Sequence, residues 1–456
     1  MWYNVKYVIV VFRNAASESL KKRQNGVLFL FMACFVTPIE KGVDGLFIKT
    51  ERFNTTLISF HFYMPLSRET SAEYALLPFL MTTCSKKYPD FSKLNYKLSK
   101  LYGASLEASA EKVGDLQKLQ MSVSVINDRY ALDNEQLCSQ ACELLLDLIF
   151  EPKAENGAFC AEDVEREKRK AIEHIRGEIA EKRIYARSRM IEEMYKDDPF
   201  GTPKCGTEEQ VAALGGASLY RAWLRVIKNA AVKVNVVSDT LPAALFQTIG
   251  ERFASLGREN ITDCMHHSPT RPVSRPQTVT DRMDVAQGKL CLGFSSELAG
   301  NDETTVPLFV ATDIFGGGTY SKLFSNVREK MSLCYYCFAG STRLKGLVTV
   351  DSGVESANAE KTITAIIEQL EAVKRGGVSD FEFSSSIRSL CDALRSVNDT
   401  PAAVDMWYAG RIANKELVSP EDFAEKISGV TREQVINAAR GIKLHTVYKL
   451  LPREEA

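Results

Sequence analysis

A chain of 456 residues exceeds what one hydrophobic core usually serves, so two units of roughly 200 residues each are expected. With 57 Lys+Arg against 58 Asp+Glu the net charge is −1, which leaves no basic excess for a nucleic-acid partner. The 45% apolar and 25% charged shares are those of an ordinary globular protein.

The chain opens on an awkward region. Lys21-Lys22-Arg23 precede an apolar run over 27–36 that has the outline of a short signal-like segment. The run is too short to cross a bilayer as a helix, so no membrane span is expected. It has no clear cleavage site, and an over-long start with the true first residue near Met32 accounts for it equally well. Residues 1–42 are set apart as an N-terminal extension.

From about Val43 the pattern becomes regular. Ile58, Phe60, Phe62 and Met64 alternate with Ser59, His61 and Tyr63, predicting a half-buried strand with His61 on the face opposite the apolar one. Helices over 71–82 and 92–101 follow, then strands over 104–110 and 119–126. A long amphipathic helix is expected over 133–149, and another from about residue 162 carries Val164, Ala171, Ile172, Ile175 and Ile179 at helical spacing.

The second part repeats this order: a strand over 289–294, helices over 305–314 and 321–330, strands over 334–340 and 347–354, a helix over 357–373 and another from about 379. The offset of roughly 230 residues argues for duplication of one α+β unit, a mostly antiparallel sheet with helices on one face. The join is expected near Leu214-Gly215-Gly216, before the strand at 232–237, giving homologous domains over 43–225 and 226–456.

Eleven cysteines, an odd number at irregular spacings, lie mostly in apolar stretches (Cys138, Cys142, Cys291, Cys391). They read as reduced thiols in a cytoplasmic protein. Cys334-Tyr335-Tyr336-Cys337 has the spacing of redox and zinc sites, but it lacks a second pair and sits in an aromatic strand-like run, so it reads as structural. Gly316-Gly317-Gly318 is followed by no Gly-Lys-Ser/Thr and reads as a tight helix–helix turn. The five histidines (His61, His174, His266, His267, His445) include no i, i+4 helical pair, and His266-His267 read as exposed loop residues.

Three segments carry a resemblance. They are Ala75-Leu76-Leu77-Pro78-Phe79 with Lys86-Lys87-Tyr88-Pro89 and Leu101-Tyr102-Gly103; the 167–174 stretch leading into Asp198-Pro199-Phe200-Gly201; and Phe315-Gly316-Gly317-Gly318 through Arg328 to Leu333-Cys334-Tyr335. Together, over roughly residues 43–452, they resemble the pitrilysin/insulinase zinc metallopeptidase family. Active members carry His-x-x-Glu-His on the first helix, two imidazoles for Zn²⁺ and a carboxylate that polarises the bound water. Here those positions fall on Ala75, Pro78 and Phe79, and the third ligand position falls near Glu173 or His174. The resemblance therefore implies a chain that holds no zinc and is inactive alone.

The family's Arg-x-x-x-x-Leu-x-Tyr pattern is present as Arg328, Leu333 and Tyr335. By spacing alone Arg328 reads as a cation at a helix C-terminus and Tyr335 as a strand aromatic. The resemblance gives the pair a substrate-binding role, a cationic fork and a phenol donor facing another chain's zinc site. At the edge strand where the family docks peptides, this sequence has Glu107-Ala108 in place of the favoured Asn-Ala. Glu155-Asn156-Gly157, Tyr185-Ala186-Arg187 and Phe200-Gly201 further resemble a metal-site-deficient bacterial branch associated with 5-aminopentanol modification of elongation factor P. The resemblance implies a non-catalytic subunit partnered by a zinc-bearing peptidase-family chain and acting on a peptide substrate. The alternatives are a purely structural or peptide-binding protein and an atypical active metallopeptidase.

Overall fold

The structure, a computed structural model, describes residues 32–453 apart from Asn301 and Lys415, with the short paired strands Arg23–Gln24 and Val27–Leu28. The first part contains β1 (Ala33–Glu40), β2 (Val43–Lys49), β3 (Thr55–Pro65), α1 (Ser71–Met81), α2 (Phe91–Lys100), and the hairpin β4 (Ser105–Val113)–β5 (Leu116–Ile126). It continues with α3 (Leu137–Phe150), α4 (Ala161–Ala180), α5 (Lys182–Met194), α6 (Gly216–Asn229), β6 (Ala231–Ser238) and α7 (Leu245–Ala254). The second part contains β7 (Gln277–Met283), β8 (Gly288–Ser295), α8 (Asp302–Gly316), a π-helical segment (Leu323–Lys330) and the hairpin β9 (Cys334–Thr342)–β10 (Leu347–Val354). It closes with α9 (Ala359–Lys374), α10 (Asp380–Ser396), α11 (Pro401–Ala409), α12 (Pro420–Ser428), α13 (Arg432–Arg440) and β11 (Lys443–Pro452).

Local chemistry explains several boundaries. Asp90 starts α2 by accepting the Lys93 N–H at 2.8 Å, and Ser379 with Glu382, like Thr431 with Gln434, forms a reciprocal cap on α10 and α13. Helix α3 begins at Leu137 rather than at residue 133, because Asn134 takes a left-handed conformation (φ +54°) that breaks a helix. The predicted helix at 321–330 is wider than an α-helix, its end closed by Met331 N–H to Asn326 C=O at 2.9 Å.

The two sheets share one topology. The first runs β1-β2-β6-β3-β5-β4 and the second β7-β11-β8-β10-β9. In each, the final strand of the half inserts parallel to the first core strand and antiparallel to the next, β6 beside β2 and β3, β11 beside β7 and β8. The duplication is thus an α+β unit used twice, with β1 as an addition. The expected join before Val232 is corrected by this arrangement. β6 lies inside the first sheet, since Val232, Val234 and Val236 must be covered between two strands and by helices, and the crossover to the second sheet falls in the segment 255–276. Likewise β1, drawn from the stretch set apart as an extension, pairs with β2 and buries Cys34.

One face of each sheet carries its own helices. Phe60, Phe62 and Met121 pack under Trp223 of α6 in the first, and Leu290, Leu292 and Phe294 under Phe315 of α8 in the second. The other face is covered by a helix from the opposite half. Met190 and Met194 of α5 pack with Cys291, Leu347, Tyr448 and Leu450 of the second sheet, and Val404 and Tyr408 of α11 pack with Leu46, Ile48, Leu57 and Val237 of the first. At roughly 1.5–3 kcal/mol per fully buried large apolar side chain, this exchange is a major part of what joins the halves.

His61 illustrates the consequence. It was expected on the polar side of a half-buried strand, but α11 lies over that side and buries it completely, with Nε2 at 2.9 Å from Asp405 Oδ1.

Candidate functional site

The positions that the resemblance assigns to the metal motif lie on α1. Ala75 and Pro78 are buried, and Phe79 is 40% exposed. Pro78 has no N–H, so α1 loses the bond that would reach back to Tyr74, and the Thr82 hydroxyl and N–H close the helix end on Pro78 O at 2.9 and 3.2 Å. A methyl, a pyrrolidine ring and a phenyl ring present no lone pair, so the residues at these positions do not fit zinc. His174, near the third ligand position on α4, is exposed and faces Glu178 at 3.3 Å. Among the described residues no three His, Cys, Asp or Glu side chains converge in a way that could hold a metal ion.

The other histidines have local roles. His266 is exposed beside Asp263, while His267 is half-buried, its Nδ1 accepting the Asp115 N–H at 3.2 Å, so the expectation that both are loop side chains in solvent holds only for His266.

Arg328 and Tyr335 come together at the edge of the second sheet. Arg328 sits in the last turn of the π-helical segment, its guanidinium 4.6 Å from the centre of the Phe324 ring, and its Nε–H donates to Tyr335 O at 3.0 Å. That carbonyl is available because β9 bulges: Cys334 pairs with Val354 and Tyr336 with Gly353, leaving Tyr335 out of the ladder. The Tyr335 ring is 59% exposed, and its hydroxyl lies 3.3 Å from Glu355 Oε1. Glu329 holds a second guanidinium nitrogen at 3.1 Å. The pair therefore forms a prepared element, a partly exposed cation and phenol fixed by a backbone bond on an edge strand.

Both sheets end on their hairpins, β4–β5 and β9–β10, and the tips of these hairpins meet. Lys345, wholly buried in the second tip, donates to Asp115 of the first at 2.8 Å and to both oxygens of Asp198 at 3.0 and 3.1 Å. Beside this meeting point lies a cleft of about 820 Å³, bounded by Glu111 and Lys112 of β4, Ile175 and Ile179 of α4, helix α5, the 200–209 loop and Thr342 of β9. Lys112 enters it with its ammonium donating to Phe200 O at 2.9 Å and Thr202 O at 3.1 Å; burial pushes its pKa down to about 8. Gly206 lets the loop press against α1, since a Cβ there would lie 2.6 Å from the Ala72 methyl. Neither Lys345 nor Lys112 stands out in the sequence.

Comparison with known proteins fits this geometry. Residues 217–390 match the family described as the peptidase M16 inactive domain. "Probable inactive metalloprotease YmfF" of Bacillus subtilis (strain 168) is 30% identical over 415 residues, covering 91% of this chain and 97% of that protein. The chain belongs to the peptidase M16 family. Ala75, Pro78 and Phe79, which the resemblance sets at the metal-motif positions, offer no zinc-binding atom. "Uncharacterized zinc protease YmxG" of the same organism is 21% identical, covering 77% of this chain and 86% of that protein. A conserved protein from Enterococcus faecalis V583 superposes with a TM-score of 0.86 at 26% identity, covering 93% of this chain and 99% of the other. A peptidase M16 inactive domain from Pseudomonas fluorescens gives 0.73 at 16% identity, with 92% and 98% covered. Among the described residues no helix is long and apolar enough to cross a membrane.

Proposed function

We propose that this M16 chain is the non-catalytic subunit of a two-chain peptidase, supplying Arg328 and Tyr335 to a zinc-bearing partner that acts on peptides. One contrast carries the reading. The three positions that the resemblance assigns to the metal motif on α1 carry no donor atom, while the Arg328–Tyr335 element is held by a bond that depends on the β9 bulge. In an assembled site the guanidinium and phenol would stabilise charge developing on a substrate carbonyl, with both groups already oriented. Eleven unpaired thiols suit a reducing, cytoplasmic setting.

Co-purification with a His-x-x-Glu-His-bearing relative, followed by zinc analysis and peptide hydrolysis, tests the reading. The lone chain is expected to hold no stoichiometric zinc and to be inert, and Arg328→Ala is expected to lower kcat of the pair by tenfold or more with zinc content unchanged. Activity of the pair that is indifferent to both Arg328→Ala and Tyr335→Phe would favour a purely structural role. Glu329 and Glu355 are the observation behind that second reading, because they already engage the two side chains within this chain.

A further inference from the structure

In a regular strand Cys334 and Cys337, three residues apart, would point to opposite faces. The bulge changes this. Because Tyr335 drops out of the ladder, Cys334 opposes Val354 and Cys337 opposes Ser352, two positions apart on β10, so both thiols face the helical layer. Both are buried (8% and 0% exposed) and both are reduced in the structure. A two-residue step along a strand is about 6.6 Å, at the upper edge of the ~4.4–6.8 Å Cα separation that a disulfide spans. Closing the bridge needs only a slight tightening of a bulge on an edge strand, which no neighbouring strand constrains from outside.

The thiol chemistry supports the geometry. The Cys337 thiol hydrogen-bonds to Cys334, and with the Ser352 hydroxyl and the Arg328 charge it outweighs burial and brings the Cys334 pKa down to about 7. The same hydrogen bond, followed by burial, raises Cys337. The pair thus divides into an attacking thiolate and a resolving thiol.

We propose that Cys334 and Cys337 are a redox-sensitive site that closes to a disulfide under hydrogen peroxide, within the bulge that presents Tyr335. The Cys334 thiolate attacks one peroxide oxygen, breaking the O–O bond to give a sulfenic acid and hydroxide, which takes up a proton as water. The Cys337 sulfur then attacks the sulfenic sulfur, the S–S bond forms, and the sulfenic oxygen leaves with the thiol proton as a second water. Two thiols are oxidised by two electrons and one peroxide is reduced to two waters. A small dithiol reverses the step.

The experiment uses the purified full chain in its folded state. It is treated with a modest excess of peroxide, blocked with an alkylating reagent, digested and mapped by mass. The expected product is a 334–337 peptide two hydrogens lighter, restored by dithiothreitol, at a rate at least tenfold above oxidation of the buried control thiols Cys142 and Cys291. Cys337→Ser should stop at a Cys334 sulfenic acid captured by dimedone, and Cys334→Ser should leave the pair unoxidised. The proposal is overturned if the folded chain gives no internal disulfide, if the bridge forms only after unfolding in urea, or if Cys334 passes directly to the sulfinic acid. The readout needs no partner, so it stands or fails separately from the two-chain reading.

Discussion

Replacing Lys345 by methionine removes a buried cation at the seam where the hairpin tips meet. The ammonium is wholly buried and lies within 2.8–3.1 Å of three carboxylate oxygens. Tyr195 and Phe200 flank it, with ring centres at 5.3 and 5.6 Å. Breaking a buried pair by deleting one partner costs about 3–5 kcal/mol, because the charge left behind is uncompensated. Here the two aspartates keep part of their solvation: Asp115 is 16% and Asp198 26% exposed, and they retain N–H donors from Ser268 and Phe200 at 2.6 and 2.8 Å. Methionine also preserves contact with the two rings. The expected loss therefore sits at the low end, about 3 kcal/mol. Urea unfolding followed by tyrosine and tryptophan fluorescence measures it, and a cycle with Asp198→Asn isolates the pair. The double variant should recover about 1–2 kcal/mol of the loss. A loss below about 1 kcal/mol, or no coupling with Asp198, would refute the idea that this contact holds the halves together.

Three further outcomes follow from the same packing. Burial alone would raise the Asp405 pKa, but the His61 ring and the Asn235 amide outweigh it and hold the group below the usual carboxylate range. Its stabilisation is thus fully present above the unfolded-state pKa of about 3.9 and is lost as pH falls through the lower folded value, so Asp405→Asn should narrow the gap to wild type below about pH 4 in acid-unfolding curves. Lys112 has the same sense in a different window: with its folded pKa lowered by burial to about 8, the unfolded chain binds more protons from there up to about 10.4, and stability should rise with pH across that window. Lys112→Met should abolish that rise relative to wild type in thermal melts at stepped pH. Met190→Ala, which empties a fully buried position between α5 and the second sheet, should cost about 2–5 kcal/mol in denaturant titration.

Much of the fold was legible because each half writes its periodicity plainly. The alternation through Ile58–Met64 and Leu119–Val125, and the helical spacing of α3 and α4, are local signals that survive into the structure with boundaries shifted by a few residues. What could not be read locally is which half covers which face. Met190 and Met194 belong to the first half of the chain, yet they pack with Tyr448 and Leu450, more than 250 residues onward. His61 sits at a polar position in an alternating strand, and only α11 turns that position inward. β6 was recognised as a strand but placed on the wrong side of the join, because an apolar run says that it is covered, not between which neighbours. At the candidate site, Arg328 and Tyr335 were singled out by the family resemblance, not by local physics. The bulge that fixes them was not found, since nothing in Cys334-Tyr335-Tyr336-Cys337 announces a skipped residue.

The exchange of α5 and α11 also sets an order of events during synthesis. The first sheet is complete in sequence once Ser238 has emerged, but the helix that covers its outer face ends at Ala409. At roughly 5–20 residues per second, that interval of about 170 residues lasts on the order of ten to thirty seconds. Throughout it Leu46, Ile48, Leu57 and Val237 face water on a nascent chain still tethered to the ribosome. In a duplicated protein built this way, neither half can bury both faces of its sheet until the other has been made.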